Sequence, residues 1–268
     1  MTKFIISSVL FLIVFKSLSA QIHLNKSNLA SLCDCNPFES NSIYLTNREI
    51  KTIDPATFSG LASLQYLFLN RNKITTIHPA TFNGLKSLIV IELSFNQLTA
   101  IDPTLFNSLK SLQWLELAFN KISTIDSATF NGLSALLKLN LHSNQITALD
   151  LVKFSSLRSL QMLILSSNQI VAIDPAKSNG LNSLKSLELS NNSIAHIDER
   201  IFKEFFNLSF LYLEGNKIVS FNKKALIGLA NLKSVCLFDN PVSSIFPDQL
   251  HNICDMNPTC KVYVSSKC

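Results

Sequence analysis

The segment from Ile91 to Ile125 decides the fold, because it contains the same pattern twice: IELSFNQLTAI at 91–101 and LELAFNKISTI at 115–125. In both copies two aliphatic residues flank an outward position, an asparagine follows, and two further aliphatic residues close the pattern. The alternation with period two predicts a short β-strand with one buried face. Because the copies begin 24 residues apart, we expect their strands to lie side by side in successive coils.

The same pattern recurs along the chain with a constant period of 24 residues and no insertion. Such regularity predicts a solenoid in which every coil adds one strand to a parallel sheet. The copies begin at Ile43, Leu67, Ile91, Leu115, Leu139, Leu163, Leu187, Leu211 and Val235.

One asparagine follows each strand, and it is expected to be buried, with its side chain bonded to backbone groups of the bend. Only the first copy lacks this residue and has Arg48 in its place. Since a first coil has a neighbour on one side only, Arg48 marks an end of the solenoid. The asparagines are Asn72, Asn96, Asn120, Asn144, Asn168, Asn192, Asn216 and Asn240.

The remainder of each coil carries a second regular stripe. Asp-Pro pairs such as Asp54-Pro55 and Asp102-Pro103 indicate short helical turns. A phenylalanine follows four residues after the Asp position in most coils, and these side chains are expected to form a buried spine; Ser178 and Leu226 occupy two of the slots. The phenylalanines are Phe58, Phe82, Phe106, Phe130, Phe154 and Phe202.

From Ile43 to Ile245 these residues resemble the extracellular "typical" class of leucine-rich repeats, whose unit is LxxLxxLxLxxNxIxxIxxxxFxxL. The resemblance implies an α/β fold, a right-handed solenoid shaped like a horseshoe. It places a parallel sheet on the concave face and short helical or irregular turns on the convex face. Members of this class act in adhesion, matrix assembly, axon guidance and immune recognition.

The first residues differ from the rest. Lys3 precedes an apolar run from Phe4 to Phe15, and small residues follow up to Ala20, which predicts a cleaved signal peptide at 1–20. No second run of this kind follows, so the mature chain is expected to be secreted, extracellular and without a membrane span. The remaining divisions are an N-terminal cap at 21–42, about nine repeats at 43–245 and a cysteine-containing C-terminal cap at 246–268.

Six cysteines lie near the two ends of the repeat region. An even number in a secreted chain predicts disulfides that close the ends, and Cys236 is expected to pair with a cysteine of the tail. Because a single residue separates Cys33 from Cys35, we do not expect these two to bond each other. One of them, or Cys268, could then link a second chain in a disulfide-bonded dimer. The cysteines are Cys33, Cys35, Cys236, Cys254, Cys260 and Cys268.

The register of the repeats also predicts which strand residues point outward. Trp114, the only tryptophan, lies among aromatic and charged side chains of the concave face. Exposed aromatic residues beside charges are typical of an interface, although aromatic residues in a sheet can also merely support each other. The predicted ligand-binding residues are Tyr66, Phe68, Glu92, Trp114, Glu116, Lys138, Phe210 and Tyr212.

These features predict a binding protein and not an enzyme, because no nucleophile, base and acid are spaced as a catalytic set, and neither a cofactor nor a metal site is expected. Removal of the signal peptide with Lys3 and Lys16 lowers the net charge from +5 to +3, and this small, scattered charge argues against nucleic acid as partner. Two functions stay open: recognition of an extracellular protein or glycan, and self-association as a matrix protein. Asn25, Asn191 and Asn207 begin N-x-S/T sequences and are candidate glycosylation sites.

Overall fold

The computed structural model describes residues 21–174, 180–245 and 260–265. The predicted signal peptide at 1–20 lies outside these ranges, as do Ser178, Cys254 and Cys268 and most of the predicted C-terminal cap. In chain order the elements are β1 (Ile22–Leu24), α1 (Lys26–Cys33), β2 (Ser42–Tyr44), β3 (Ile50–Ile53), β4 (Tyr66–Phe68), β5 (Val90–Glu92), β6 (Trp114–Glu116), β7 (Lys138–Asn140), β8 (Ala148–Asp150), β9 (Met162–Ile164), β10 (Ala172–Asp174), β11 (Ser186–Glu188), β12 (His196–Ile197), β13 (Phe210–Tyr212), β14 (Ser220–Phe221), β15 (Ser234–Cys236), α2 (Pro241–Ile245) and β16 (Lys261–Tyr263).

One strand of each coil joins a parallel sheet in the order β2-β4-β5-β6-β7-β9-β11-β13-β15-β16. The register follows the repeat, since Leu67 is opposite Ile91 and Ile91 is opposite Leu115. These central residues are buried, and their neighbours in each strand point to the other face. The predicted solenoid is therefore confirmed. The sheet has ten strands where nine were expected, because Lys261–Tyr263 pairs with the last coil.

The predicted role of the asparagines is confirmed in every coil. The Asn144 amide nitrogen donates to the carbonyls of Leu117 and Leu141, each at 3.0 Å, and its Oδ1 accepts from the backbone N–H of Ile122 at 3.0 Å. One side chain thereby satisfies backbone groups of its own coil and of the preceding one. The backbone N–H of Arg48, in the first slot, donates to Asn72 Oδ1 at 3.0 Å.

The phenylalanine spine is also present, and its rings stack between coils. The ring centroids of Phe82 and Phe106 are 6.3 Å apart, and those of Phe130 and Phe154 are 5.5 Å apart. All six phenylalanines are almost fully buried. Leu226 fills one slot of the spine as a buried residue.

The turns behind the spine are mostly irregular. Asp54 and Asp102 accept backbone N–H groups two residues later, each at 2.8 Å, but no helix forms after either Asp-Pro pair. Single 3₁₀ turns form instead at Leu151–Phe154 and Lys223–Leu226, which the Asp150 and Asn222 side chains cap. Short parallel pairs, β8 with β10 and β12 with β14, order parts of this side.

At the N-terminal end, α1 begins at a capping box in which Asn25 accepts the N–H groups of Ser27 and Asn28. The expectation that Cys33 and Cys35 do not bond each other was wrong, because the structure joins them in a disulfide with Cα atoms 5.2 Å apart. Asp34 between them is left-handed, at φ 52°, and this turn brings the two side chains together. Neither thiol is then available to a second chain.

The last coil is closed by β16, which lies beside β15 with Tyr263 opposite Cys236. Cys236 and Cys260 are both disulfide-bonded, and Cys236 is fully buried. Within the described ranges no cysteine is free. In those same ranges, no helix has the length and apolar character that crossing a membrane requires.

Candidate ligand-binding face

Three rows of outward residues form one face of the main sheet, and we call the part from β4 to β15 the concave floor. Strand pairing places the first row at Tyr66, Val90, Trp114, Lys138, Met162, Ser186, Phe210 and Ser234. The second row runs from Phe68 through Glu92, Glu116, Asn140, Ile164, Glu188 and Tyr212 to Cys236. The third row follows two residues later, and Ser94, Ala118, Ser166 and Ser190 of that row are buried.

Trp114 is the most prominent side chain of the floor. It is 51% exposed, although it lies in the middle of a regular strand. Val90, opposite it on β5, is smaller and buried, so the indole projects beyond the side chain on the adjacent strand. A large aromatic side chain left open on a rigid sheet can enter an interface with little loss of conformational freedom.

Charged residues beside Trp114 form an ordered group. Lys138 Nζ lies 2.7 Å from Glu116 Oε1, and Asn140 Nδ2 donates to Glu116 Oε2 at 2.7 Å. Glu92, on the next strand, accepts the backbone N–H of Ser94 at 2.9 Å. Burial raises the pKa of Glu92 in spite of that hydrogen bond, and the nearby Glu116 raises it further. Lys138 forms its ion pair with Glu116, and its charge has only a small lowering effect on the pKa of Glu92.

Tyr66 and Phe68 lie on β4, two strands from Trp114, whereas Phe210 and Tyr212 form a separate patch on the other side. Phe210 and Tyr212 stack with centroids 6.5 Å apart on β13, four strands from Trp114, a distance of roughly 19 Å at the usual strand spacing. The neighbouring acids are Glu188 and Glu214. Burial raises the pKa of Glu188, and burial together with both carboxylates raises that of Tyr212.

Glu214 Oε2 is buried, and no hydrogen-bond partner meets it within the described residues. The strand register agrees with the outward positions expected from the sequence. The predicted ligand-binding residues, however, do not form one group, because they lie in two patches of the sheet. Both patches combine aromatic rings with carboxylates, and Lys138 is the one lysine in the three rows of the floor, which contain no arginine and, at His142, one histidine.

Three exposed aromatic residues on or beside the floor were missed. Tyr44 stacks on Phe68 at 4.8 Å, which extends the floor to the first coil. Phe95 and Phe119 precede the buried asparagines Asn96 and Asn120, beyond the ends of the strands. The repeat could have revealed them, because most other coils have serine, asparagine, glycine or aspartate at this position.

Over the part of the chain that is described, no group of three or more histidine, cysteine or acidic residues could hold a metal ion. The candidate glycosylation residues have different surroundings. Asn25 caps α1, whereas Asn191 is exposed and left-handed at φ 55°. Asn207 is exposed and donates to the carbonyl of Asn182 at 2.7 Å.

The family model for the leucine rich repeat matches six overlapping segments, at 41–98, 68–122, 88–146, 115–170, 158–218 and 182–242. Together they run without a gap through all the coils of the solenoid. The chain belongs to the leucine-rich-repeat family. No curated protein sequence matches it.

Solved structures of this family share the fold of the chain. The TLR13–ssRNA13 complex aligns over 81% of the chain with 28% identity and a TM-score of 0.75. The Leptospira interrogans LRR protein LIC12759 aligns over 80% with 28% identity and a TM-score of 0.62. The octameric complex of Latrophilin 3, Unc5D and FLRT2 aligns over 91% with 20% identity and a TM-score of 0.71.

The alignments span 30% of the TLR13 chain, 58% of the Leptospira chain and 81% of the third. A leucine-rich-repeat solenoid is a scaffold for binding, and its neighbours include components of assemblies with other macromolecules.

Proposed function

We propose that the chain is a secreted recognition module that binds an extracellular protein on its concave floor, with basic side chains of the ligand seated on the floor's carboxylates. The observation that carries this proposal is the composition of the floor. An otherwise basic chain, of net charge +5, has four glutamates against one lysine there, beside exposed aromatic residues.

The aromatic residues supply the anchors. Trp114 in one patch and the Phe210–Tyr212 stack in the other lie on regular strands, which fix their backbone positions. Aromatic residues of this kind carry a large share of the binding energy in protein interfaces. The distance between the patches, roughly 19 Å, suits a protein surface or an extended segment better than a small molecule.

The acids supply charge selectivity. Glu116 is neutralised by Lys138, whereas Glu92, Glu188 and Glu214 have no ion pair within the described residues. A partly buried carboxylate without a counterion favours a cationic partner, which restores the ionised form. The same charge opposes a polyanion, so nucleic acid is a poor ligand for this floor.

Capture from the extracellular fluid of the source organism tests the proposal. The immobilised chain is compared with Trp114→Asp and with Phe206→Asp, a matched control because Phe206 is 52% exposed in the turn segment before β13. We expect a basic protein to be retained by the wild type and by the control and lost by Trp114→Asp. Equal retention by all three chains would place binding elsewhere.

A further inference from the structure

A second group of exposed aromatic residues lies beside the concave floor, at the bend that follows each strand. In this bend the residue before the buried asparagine is left-handed, with φ of 57° at Arg71, 57° at Phe95 and 54° at Phe119. Later coils place Ser143, Ser167, Asn191, Gly215 and Asp239 there. Small or polar residues tolerate this conformation, whereas a bulky side chain such as phenylalanine rarely adopts it.

The two phenylalanines form part of a continuous stack, which we call the rim stack: Arg71, Phe95, Phe119 and His142. The Arg71 guanidinium lies 4.6 Å from the centroid of Phe95. Phe95 and Phe119 are stacked with centroids 4.2 Å apart, and the His142 ring meets Phe119 edge-on at 5.0 Å. Phe95 is 40% exposed and Phe119 is 42% exposed, so the stack buries neither ring in the core.

This arrangement decides which part of each ring a partner can reach. Phe95 and Phe119 cover each other's facing sides, the Arg71 guanidinium lies over the other side of Phe95, and the His142 ring meets Phe119 at a steep angle. Solvent therefore meets ring edges, which carry partial positive charge. A sugar or a nucleobase needs an open ring face for stacking, and Phe95 offers none. Aliphatic side chains, aromatic faces and carboxylate oxygens are suited to the edges.

The charges around the rim stack are positive. Arg71 and Lys121 are exposed, and in the described ranges neither has an ion pair. Glu49 of the first coil pairs with Lys73. On the adjacent floor Glu116 is bound to Lys138, and Glu92 is held by the backbone of Ser94. The rim thus has a sign opposite to that of the floor.

We propose that the rim stack is a second contact surface, which binds an acidic segment of a partner protein. A carboxylate of that segment pairs with the Arg71 guanidinium, whose N–H groups can donate to both carboxylate oxygens. An aromatic or aliphatic side chain next to the carboxylate packs on the edges of Phe95 and Phe119. Phe95 and Phe119 are left-handed, and neither ring is buried in the core. Binding to a partner explains why phenylalanine occupies a position at which two later coils have serine.

The chain itself supplies the variant that tests this surface. Serine occupies the same left-handed position at Ser143 and Ser167, so Phe95→Ser together with Phe119→Ser gives a side chain that this bend already accepts. We expect the double variant to melt at or above the wild-type temperature. A residue pair that served stability would lower the melting temperature on removal.

The probe is a phage-displayed library of random peptides, selected on the full chain after depletion on the double variant. We expect enriched peptides to carry Asp or Glu next to Phe, Tyr or Leu. A selected peptide should bind the double variant at least tenfold more weakly, and Arg71→Gln should weaken binding and reduce its dependence on salt. Lys86→Gln, a charge change at an exposed residue of the turn that precedes β5, should leave binding unchanged.

Binding of the same peptide to Trp114→Asp should equal that of the wild type, which separates the rim from the concave floor. Enrichment of basic peptides, or no enrichment over the double variant, would overturn the proposal. Sedimentation of the chain alone provides a further check. Self-association that the double variant abolishes would make the rim a contact between copies, and would equally overturn it.

Discussion

In each coil after the first, one buried asparagine makes hydrogen bonds to backbone groups of its own coil and of the preceding coil. Its amide group donates to two carbonyls and its oxygen accepts one N–H, as at Asn144. A carboxylate has the same shape but donates no hydrogen bond. It would face carbonyl oxygens that then lack their donors.

We therefore expect Asn144→Asp to lower the free energy of unfolding by about 2–4 kcal/mol at neutral pH. Urea denaturation followed by circular dichroism measures the change. The control is Asn83→Asp, which makes the same replacement at an exposed residue and should change stability by no more than about 0.5 kcal/mol. Equal effects at both positions would show that the asparagine ladder, the row of buried asparagines from Asn72 to Asn240, contributes little.

Glu188 tests the electrostatics of the floor. Its pKa is raised from the ordinary value of 4.5, chiefly by burial; Lys138 lowers it and Glu214 raises it. Because the folded pKa exceeds the unfolded one, ionisation opposes folding, and stability falls as pH rises through these two values. Glu188→Gln removes this penalty.

The variant should consequently melt at a higher temperature than the wild type at pH 7. The difference should vanish at a pH below 4, where the wild-type carboxyl is protonated in both states. Thermal melts at the two pH values measure it, with the exposed Glu39→Gln as control. A gain that is the same at both pH values would contradict the assigned cause.

At the scale of the elements, the phenylalanine spine joins neighbouring coils. Phe106 is fully buried, and its ring stacks on Phe82. We expect Phe106→Ala to lower the free energy of unfolding by about 3–5 kcal/mol, because a cavity remains between two coils that cannot close without distorting the repeat. Chemical denaturation measures this loss. Phe38→Ala, at a residue 60% exposed, is the control and should have a much smaller effect.

The strands, the asparagine ladder and the spine could be predicted from the sequence, because each depends on a local pattern that repeats every 24 residues. Features that depend on one position were harder to predict. The Cys33–Cys35 bond follows from the left-handed turn at Asp34, which spacing alone does not reveal. The pairing of β16 with β15 joins residues that no repeat relates.

The candidate site was predicted in part for the same reason. The register of the repeats predicted the outward rows, including Trp114 and Phe210. It did not show that the patches around these two residues lie apart on the sheet. Nor did it show that Lys138 pairs with Glu116, since that depends on side-chain conformation. Phe95 and Phe119 carried a readable signal, a bulky residue where most coils have a small or polar one.

At the scale of the whole molecule, charge is unevenly distributed. The chain has net charge +5, yet the floor is acidic and the rim beside it is basic. Since Glu92 and Glu188 have raised pKa values, a cationic ligand must bind a floor that is partly protonated at low pH.

Affinity for the floor ligand should therefore rise with pH through the raised pKa values and then level off, and it should fall with added salt. Titration calorimetry at several pH values measures this dependence. Glu92→Gln with Glu188→Gln is the control, and it should weaken binding and flatten the pH profile. If the wild type and the double variant showed the same pH profile, the titrating group would belong to the ligand.

The central claim is that the concave floor binds the ligand. Hydroxyl-radical footprinting with the captured protein tests it most directly, because Trp114 is 51% exposed and tryptophan side chains react readily with hydroxyl radicals. We predict that the ligand protects Trp114 and Phe210 from oxidation and leaves Phe206 and Phe38 as reactive as before. Unchanged oxidation of Trp114 at saturating ligand, with protection elsewhere, would contradict the account.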